Sequence, residues 1–355
     1  MKLGSLQASR APAASFGAGE GAASPDAAAH GSARSSKDLL IVSRQFASEF
    51  RWLSWWHLWS SLFLFGALTT VAVLDIFAWW RVLASILAGL LLVRLFILFH
   101  DFQHGAILHG SPIARVIMLI YGLATLNPPS VWNRSHGHHH QNNAKGFDSN
   151  IGSFPVMTTE DYAAASRSER FLYAVSRHPL TMAAGYLTVF LYGMCARPLL
   201  LCPKRHLDAG FAILLHAGIG IALAVWEFDN LLLAMIVPMC IASAFGAYLF
   251  YAQHNFPAVK LRTRKEWTYV EAALSSSSFI RMSWLMHWFT GNIGYHHVHH
   301  LNARIPFYRL PEAMAVIPEL QTPGTTSLRP HDVAACLRLK LWDPKKDRLV
   351  TFAGD

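Results

Sequence analysis

Four long runs of apolar residues constrain the fold of this 355-residue chain more than any other feature of its sequence. The runs cover residues 58–74, 82–99, 211–226 and 231–252, and Arg94 is the only Asp, Glu, Lys or Arg within them. A helix needs about 17 to 25 largely apolar residues to cross the hydrocarbon core of a bilayer. We therefore predict four membrane-spanning helices in two hairpins, with Arg94 extending to the membrane interface.

The composition also indicates a membrane protein. Charged residues make up only 14% of the chain and hydrophobic residues 53%, whereas charged residues make up about 25% of a typical soluble domain. The formal net charge is +9, but the basic residues form no lysine-rich array of the kind that binds a nucleic-acid backbone. We therefore expect no nucleic-acid partner. Basic residues stand at Lys204 and Arg205 and within 260–265. Because positive charge favours the cytosolic side, we predict that these ends of the spans are cytosolic.

Two further apolar stretches, 116–126 and 181–201, are ambiguous. The first is about half the length of a span, and the second is long enough but has basic residues on both sides. If the histidine-rich segments near residues 100, 136, 254 and 296 meet on one side of the membrane, neither stretch can cross alone. We therefore interpret both as interfacial or re-entrant. A crossing of the two as a pair would keep the parity but would place the second histidine cluster on the other side.

The rest of the chain divides simply. Residues 1–40 are rich in Ala, Gly, Ser and Pro and are predicted to be a disordered tail. Residues 41–345 are predicted to form one domain, in which the polar segment after residue 252 makes a helical cytosolic cap with a helix near 266–274. Residues 346–355 are assigned to a C-terminal tail.

The 19 histidines are concentrated in three short clusters. In the first, two histidines are four residues apart and would share one face of a helix. The second and third repeat the spacing His-x-x-His-His, which is very improbable by chance. The histidines on these spacings are His100, His104, His136, His139, His140, His296, His299 and His300. The membrane topology places His254 level with them, so we predict nine metal ligands.

Nine imidazoles are too many for one zinc ion, which takes four ligands in structural sites and three plus water in catalytic ones. They suit two metals with five or six ligands each, and a redox-active pair beside an apolar channel favours iron. When one nitrogen of an imidazole binds a metal, the other nitrogen usually donates its N–H to a carboxylate or carbonyl. The polar residues near the clusters that could accept it, or otherwise orient the ligands, are Asp101, Asn143, Asp148, Asn255 and Asn292. The other histidines are expected to be packed or exposed: His30, His57, His109, His138, His178, His206, His216, His287, His297 and His331.

Around these ligands the sequence resembles the membrane fatty-acid desaturases, and especially the bacterial and plastid acyl-lipid enzymes of the omega-6, or delta-12, branch. The matching words are His100-Asp101-Phe102-Gln103-His104, the cluster at His136, Gln253-His254-Asn255-Phe256, and residues 289–302 with their continuation to Pro311. The first word has Phe102-Gln103 where many relatives have Cys-Gly, which leaves the regiospecificity open. The roles of His109 and His287 are also open.

This resemblance implies an all-helical, multi-pass fold with a cytosolic cap over a di-iron (Fe2+/Fe3+) centre, His254 included among the ligands, in a bacterial inner membrane. It implies O2-dependent insertion of a cis double bond into a fatty acyl chain of a lipid. The four scattered cysteines, Cys195, Cys202, Cys240 and Cys336, cannot hold an iron–sulfur cluster. Electrons would then come from an external ferredoxin or, less favoured, a cytochrome b5.

Two kinds of alternative remain at this point. The same centre could serve a hydroxylase, ketolase or acetylenase acting on a lipid or carotenoid, because small changes in substrate placement separate these outcomes. A histidine-rich metal transporter is a reading of a different class. It is disfavoured because transport ligands should lie near the bilayer midplane, whereas these clusters lie at the membrane edge.

Overall fold

Helices form most of the chain in this computed structural model, which describes residues 34–146 and 153–355. Most of the tail predicted for residues 1–40, with His30, and the side chain of Asp148 lie outside the described residues. The described α-helices are α1 (Ser36–Ser43), α2 (Arg51–Val73), α3 (Ala78–Gln103), α4 (Pro112–Ala124), α5 (Pro129–Asn142), α6 (Thr159–Ala164), α7 (Arg167–Ser176), α8 (Pro179–Ala183), α9 (Arg197–Leu201), α10 (Leu207–Trp226), α11 (Phe228–Leu231), α12 (Val237–His254), α13 (Tyr269–Ser275), α14 (Trp284–Phe289), α15 (His296–Leu301), α16 (Leu310–Val316) and α17 (Pro330–Arg338).

Two π-helical segments connect some of these helices. Tyr186–Ala196 leads into α9, and Leu232–Ile236 joins α11 to α12. Four 3-10 turns complete the helical structure of the described residues: Arg44–Phe46, Pro203–Arg205, Phe307–Arg309 and Pro318–Leu320.

Four helices in the described chain are long and apolar enough to cross a membrane, which confirms the predicted number. They are α2, α3, α10 and the continuous segment Phe228–His254. Helix α3 packs along both α2 and α12. Its approach to α12 is close at Gly89, where an added Cβ would lie 2.8 Å from Cβ of Ile241. Glycine is needed there because a larger residue would push the two helices apart.

The two ambiguous stretches form shorter helices. Helix α4 has 13 residues, and Tyr186–Leu201 is apolar but shorter than the four long helices. The stretch 181–201 is not one helix, because α8 ends at Ala183 before the π-helical segment begins. Their interfacial or re-entrant position stays a prediction.

Short strands qualify the all-helical expectation. The strands are β1 (Met157–Thr158), β2 (Phe279–Arg281), β3 (Thr325–Ser327), β4 (Leu341–Asp343) and β5 (Arg348–Val350). Strand β4 pairs in parallel with β1 and antiparallel with β5, and β2 pairs in parallel with β3. Strands of two or three residues are too short to show a periodic pattern in the sequence. Strand β5 lies within 346–355, the segment assigned to a tail, and its Val350 is buried.

The side chain of Arg94 does not extend out of the protein as predicted. This side chain is 2% exposed, and its Nε donates to Oγ of Ser61 at 2.9 Å. Its Nη2 donates to Nδ1 of His57 at 3.0 Å, and its Nη1 donates to the carbonyl of Trp288. The guanidinium also lies 4.1 Å from the centre of the Trp288 ring. Polar partners from α2 and α14 therefore satisfy the cation inside the protein, so it has no need to reach water.

Candidate metal centre

Four helices carry the predicted ligands to one region. His100 lies in the last turn of α3, and His104 follows its end. His254 is the last residue of α12, which packs along α3. Helices α5 and α15 hold the second and third clusters. The ends of two packed long apolar helices thus meet two shorter histidine-bearing helices.

The start of α5 is anchored to α10. The backbone N–H and the hydroxyl of Ser130 both donate to the carboxylate of Asp208, at 2.8 and 2.5 Å. The Ser130 oxygen lies 2.8 Å from Nδ1 of His206 and can accept a hydrogen bond from it. Since α5 carries three of the predicted ligands, these contacts position a large part of the centre.

The structure brings all nine predicted ligands together, but in two groups. Within each group the candidate ligand atoms lie within 4.8 Å of one another, so either group could hold a metal ion. The five-histidine group consists of His100, His104, His136, His140 and His299. The four-histidine group consists of His139, His254, His296 and His300.

The repeated spacing distributes each cluster over both groups. In α5, His136 and His140 are one helical turn apart and join the five-histidine group, while His139 joins the other. In α15 the pattern is reversed. There the pair that is four residues apart joins the four-histidine group, and His299 joins the five-histidine group. With 3.6 residues per turn, residues i+3 and i+4 lie on opposite sides of residue i and point about 100° apart. Each short helix therefore bridges the two groups.

The nitrogen spacing in the five-histidine group fits metal coordination. The Nε2 atom of His136 lies 3.0 Å from that of His104 and 3.1 Å from that of His140. The His140 and His299 Nε2 atoms are 3.0 Å apart. Two imidazole nitrogens about 2.1 Å from one metal are roughly 3.0 Å apart at a right angle and roughly 3.4 Å apart at the tetrahedral angle. The observed spacing fits five or six ligands better than four.

The four-histidine group shows the same spacing. Nε2 of His296 lies 3.0 Å from Nε2 of His254 and 3.1 Å from Nε2 of His300. The His139 and His300 Nε2 atoms are 3.2 Å apart. The donor atoms of both groups therefore converge as they would around a bound metal.

Burial keeps these imidazoles neutral. His299 is fully buried, and His300 is 1% exposed. Burial, followed by the neighbouring imidazoles, holds the pKa of His139, His299 and His300 well below the ordinary value of histidine. The neutral imidazole is the form that binds a metal ion. The two groups could therefore bind a metal without first losing protons.

Two of the nine imidazoles have clear supporting contacts. Nδ1 of His100 donates to Oδ1 of Asp101 at 3.0 Å, and Oδ2 of Asp101 accepts the backbone N–H of Phe307 at 2.7 Å. Nδ1 of His254 donates to the carbonyl of Ser276 at 3.0 Å. Such contacts orient an imidazole so that its other nitrogen faces the metal.

Of the predicted supporting residues that the structure describes, Asp101 forms a hydrogen bond with a histidine of the groups, whereas the side chains of the three asparagines bond elsewhere. The Nδ2 atom of Asn143 donates to Oγ of Ser277. That of Asn255 donates to the carbonyl of Cys336, and that of Asn292 to the carbonyl of Phe307. Proximity in sequence was therefore a poor guide. It does not indicate the Ser276 carbonyl, which bonds to His254, or the Phe307 N–H, which bonds to Asp101. Both are backbone groups, so the residue type carries no signal for them.

The remaining described histidines lie outside both groups. His297 is buried, and its Nε2 donates to the carbonyl of Leu320 at 3.0 Å. His216 contacts the hydroxyl of Tyr186 and the carbonyl of Ala124. These contacts agree with the expected packing roles.

An apolar cavity of about 760 Å³ reaches both groups. Its wall includes His100 and His136 of the five-histidine group and His296 of the four-histidine group. Helix α12 lines it with one face, as the spacing of three and four residues indicates. The residues on this face are Met239, Ala242, Ser243, Gly246, Ala247, Leu249, Phe250 and Gln253. The volume is in the range of sites for small organic ligands.

The cavity wall also contains basic side chains that do not belong to the two histidine groups. Arg134 is one helical turn after Ser130, which contacts His206. Arg197 begins α9, and the turn Pro203–Arg205 connects that helix to His206. All three line the cavity, and both arginines are exposed. The cavity therefore joins a basic rim to an apolar interior.

Comparison with known proteins identifies this arrangement. The sequence profile of the fatty acid desaturase family matches residues 77–329, which contain all nine histidines. A fatty acid desaturase of Bacillus subtilis (strain 168) is 30% identical over 270 residues, which are 76% of each chain.

Two plant proteins are also similar. The chloroplastic omega-3 fatty acid desaturase of Brassica napus is 27% identical over 238 residues, 63% of this chain and 57% of the relative. The chloroplastic sn-2 acyl-lipid omega-3 desaturase (ferredoxin) of Arabidopsis thaliana is 27% identical over 238 residues, 63% of this chain and 52% of the relative. The match thus spans little more than half the length of these plant relatives. Given the family match over most of the chain, this protein belongs to the fatty acid desaturase family, and it is an oxidoreductase.

Proposed function

We propose that the five-histidine and four-histidine groups each bind one iron ion, and that the pair desaturates a fatty acyl chain of a membrane lipid. The count of donors supports two metals, because the nine imidazoles of the two groups together exceed the four ligands that one zinc ion takes. Neutral nitrogen donors are compatible with iron. Membership of an oxidoreductase family favours a redox-active metal over zinc.

The cavity is the observation that carries the proposal, because one apolar space contacts imidazoles of both groups. With iron bound, the centre would supply the oxidation that removes two hydrogens from neighbouring methylenes. Two electrons from an external donor, together with two protons, would complete the reduction of O2 to two waters. The protein's own part is to bind the acyl chain, to hold one pair of methylenes beside the histidines, and to exclude water. No side chain has to act as a nucleophile.

The proposed substrate is an acyl chain esterified to a glycerolipid, and the proposed product is a cis double bond at the delta-12, or omega-6, position. The apolar cavity with a basic rim at Arg134 and Arg197 suits a lipid with a polar head. The name of the Arabidopsis relative specifies an sn-2 acyl-lipid, which supports this class of substrate. The omega-3 names of the plant relatives make that position the first alternative.

We further propose that the spans form two hairpins in a bacterial inner membrane, with the histidines and the segment after His254 on the cytosolic side. Basic residues near the starts and ends of the spans support this orientation, since they favour the cytosol. Glu227 and Asp229 lie at the opposite end of α10. An external ferredoxin, or less favoured a cytochrome b5, would dock on this basic side. The four cysteines are free, and the name of one relative includes ferredoxin.

Expression in a host that makes only saturated and monounsaturated acyl chains tests the proposal. Mapping of the double bonds in its lipids should reveal a new cis bond at delta-12. A new omega-3 bond would change the proposed position only, whereas a hydroxy-lipid without a new alkene would overturn desaturation.

Matched variants test the metal assignment in the same host. His139→Ala and His299→Ala should each abolish the new product, because each removes a donor from one group. His331→Ala is the control, since this side chain is 70% exposed and lies outside both groups. Product formation that survives both ligand substitutions would contradict the assignment.

A further inference from the structure

Gly246 is an unusual glycine in the cavity wall. It lies within α12, on the face that lines the cavity. A Cβ added at this position would meet no atom within 4 Å. The missing side chain therefore leaves open space that belongs to the cavity.

Close helix packing explains two other glycines but not this one. An added Cβ at Gly89 would clash with Ile241, and one at Gly185 would lie 2.9 Å from the carbonyl oxygen of Ser243. Glycine weakens a helix, so its presence inside one calls for a local reason. At Gly89 and Gly185 the reason is the approach of a neighbouring helix. At Gly246 no neighbouring helix approaches, and the cavity is the local feature that could account for the glycine.

The position of Gly246 along α12 defines its depth. Gln253 lines the cavity next to His254, and Met239 lines it fourteen residues earlier. With a rise of 1.5 Å per residue, this wall is roughly 21 Å long. Gly246 lies eight residues before His254, which places it roughly 12 Å from the histidines along the helix axis. It is thus about halfway along the α12 wall.

The chemistry of the wall orients an acyl chain in this space. The basic side chains of the rim are the exposed Arg134 and Arg197, whereas the wall near Met239 is apolar. A polar head is poorly accommodated in an apolar interior and stays at the rim. The methyl end then extends along α12, past Gly246 and towards Met239.

We propose that Gly246 determines how many carbons the acyl chain can have beyond the pair that reacts. This inference rests on the proposed desaturation of an acyl chain. A side chain at this position would fill the space through which the methyl end passes. Long chains would then be excluded, while shorter chains would still reach the histidines.

The test compares the full-length wild-type protein with Gly246→Leu in cells supplied with saturated and monounsaturated acyl chains of increasing length. Gly218→Leu is the matched control. Gly218 also lies in a spanning helix with no atom within 4 Å of an added Cβ, but it does not line the cavity. We expect Gly246→Leu to lower desaturation of the longest chains relative to the shortest by about tenfold or more. Gly218→Leu should keep the wild-type profile and the same iron content.

Each outcome decides the matter. A wild-type chain-length profile in Gly246→Leu, or the same shift in Gly218→Leu, overturns the inference while leaving desaturation intact. If Gly246→Leu desaturates no chain of any length, the smaller substitution Gly246→Ala is tested in its place. It should lose activity first on the longest chains, and an unchanged profile overturns the inference. Absence of any new double bond in the wild type would instead refute the proposed function and this inference with it.

Discussion

The two histidine groups are built from the same kinds of helix but differ in their donors. Both take residues from α5 and α15, while α3 contributes only to the five-histidine group and α12 only to the four-histidine group. A six-coordinate metal would have one position free in the first and two in the second. The second and third clusters each contribute histidines to both groups, so a cluster in the sequence does not correspond to one group in the structure.

The supporting contacts differ as well. In the five-histidine group a carboxylate, Asp101, holds His100. In the four-histidine group a neutral backbone carbonyl, that of Ser276, holds His254. A carboxylate raises the basicity of the imidazole more than a carbonyl does. We therefore expect the five-histidine group to bind its metal more tightly, and the following predictions test this difference.

The largest effect should come from removing one ligand of each group. His296→Ala leaves three imidazoles in its group, whereas His140→Ala leaves four. Both should abolish desaturation, but the iron content should fall from about two to about one per chain in His296→Ala only. Metal analysis of the purified variants measures this. Loss of iron in His140→Ala but not in His296→Ala would reverse the comparison.

The next effect should come from Asp101→Asn, which removes the carboxylate charge behind His100. Removal of such a partner lowers metal affinity or activity by about 10- to 100-fold. Only the iron of the five-histidine group should become labile, which a chelator titration followed over time can resolve. Asp229→Asn serves as control, because this carboxylate is 60% exposed and lies far along the chain from the ligands. Equal lability of both irons would contradict separate support.

A smaller effect should follow from Arg94→Met. The substitution removes the hydrogen bonds that the charged guanidinium donates to the Ser61 hydroxyl and the Trp288 carbonyl, each of which contributes about 1.5 to 3 kcal/mol of stability. The Arg94 guanidinium lies 5.7 Å from the Phe307 ring, and Phe307 donates to Asp101. Thermal unfolding should therefore occur at a lower temperature, with some loss of iron from the five-histidine group. Arg348→Met, at an exposed residue of β5, should change neither measurement.

The smallest effect should come from Ser130→Ala, which removes one hydroxyl that anchors α5 to Asp208 and His206. The loss of stability should be about 1 kcal/mol. Since α5 contributes to both groups, any loss of iron should be equal in the two. A loss confined to one group would show that α5 does not act as a rigid bridge.

The spans could be predicted because hydropathy over a window is a local property of the sequence. The helices are nevertheless longer than the apolar runs, since α2 begins at Arg51 and α3 continues to Gln103. Helical hydrogen bonding does not stop where the apolar residues do. The position of Arg94 could not be predicted, because its partners are as distant as Trp288.

The nine candidate ligands could also be predicted, because spacing and topology both bear on them. The division into two groups follows from helix periodicity, which sets His139 apart from His136 and His140. The partners of the imidazoles could be predicted only where the partner is the next residue, as for Asp101. The Ser276 carbonyl is a backbone group brought in by folding, so nothing in its residue type indicates the contact.

The account is tested most directly by Mössbauer spectroscopy of the full-length protein loaded with isotopically enriched iron. Two irons in unlike groups should give two quadrupole doublets of equal area, and His296→Ala should remove one of them. A single doublet from one iron per chain, or zinc as the only metal of an active protein, would contradict a centre made of two unlike iron sites.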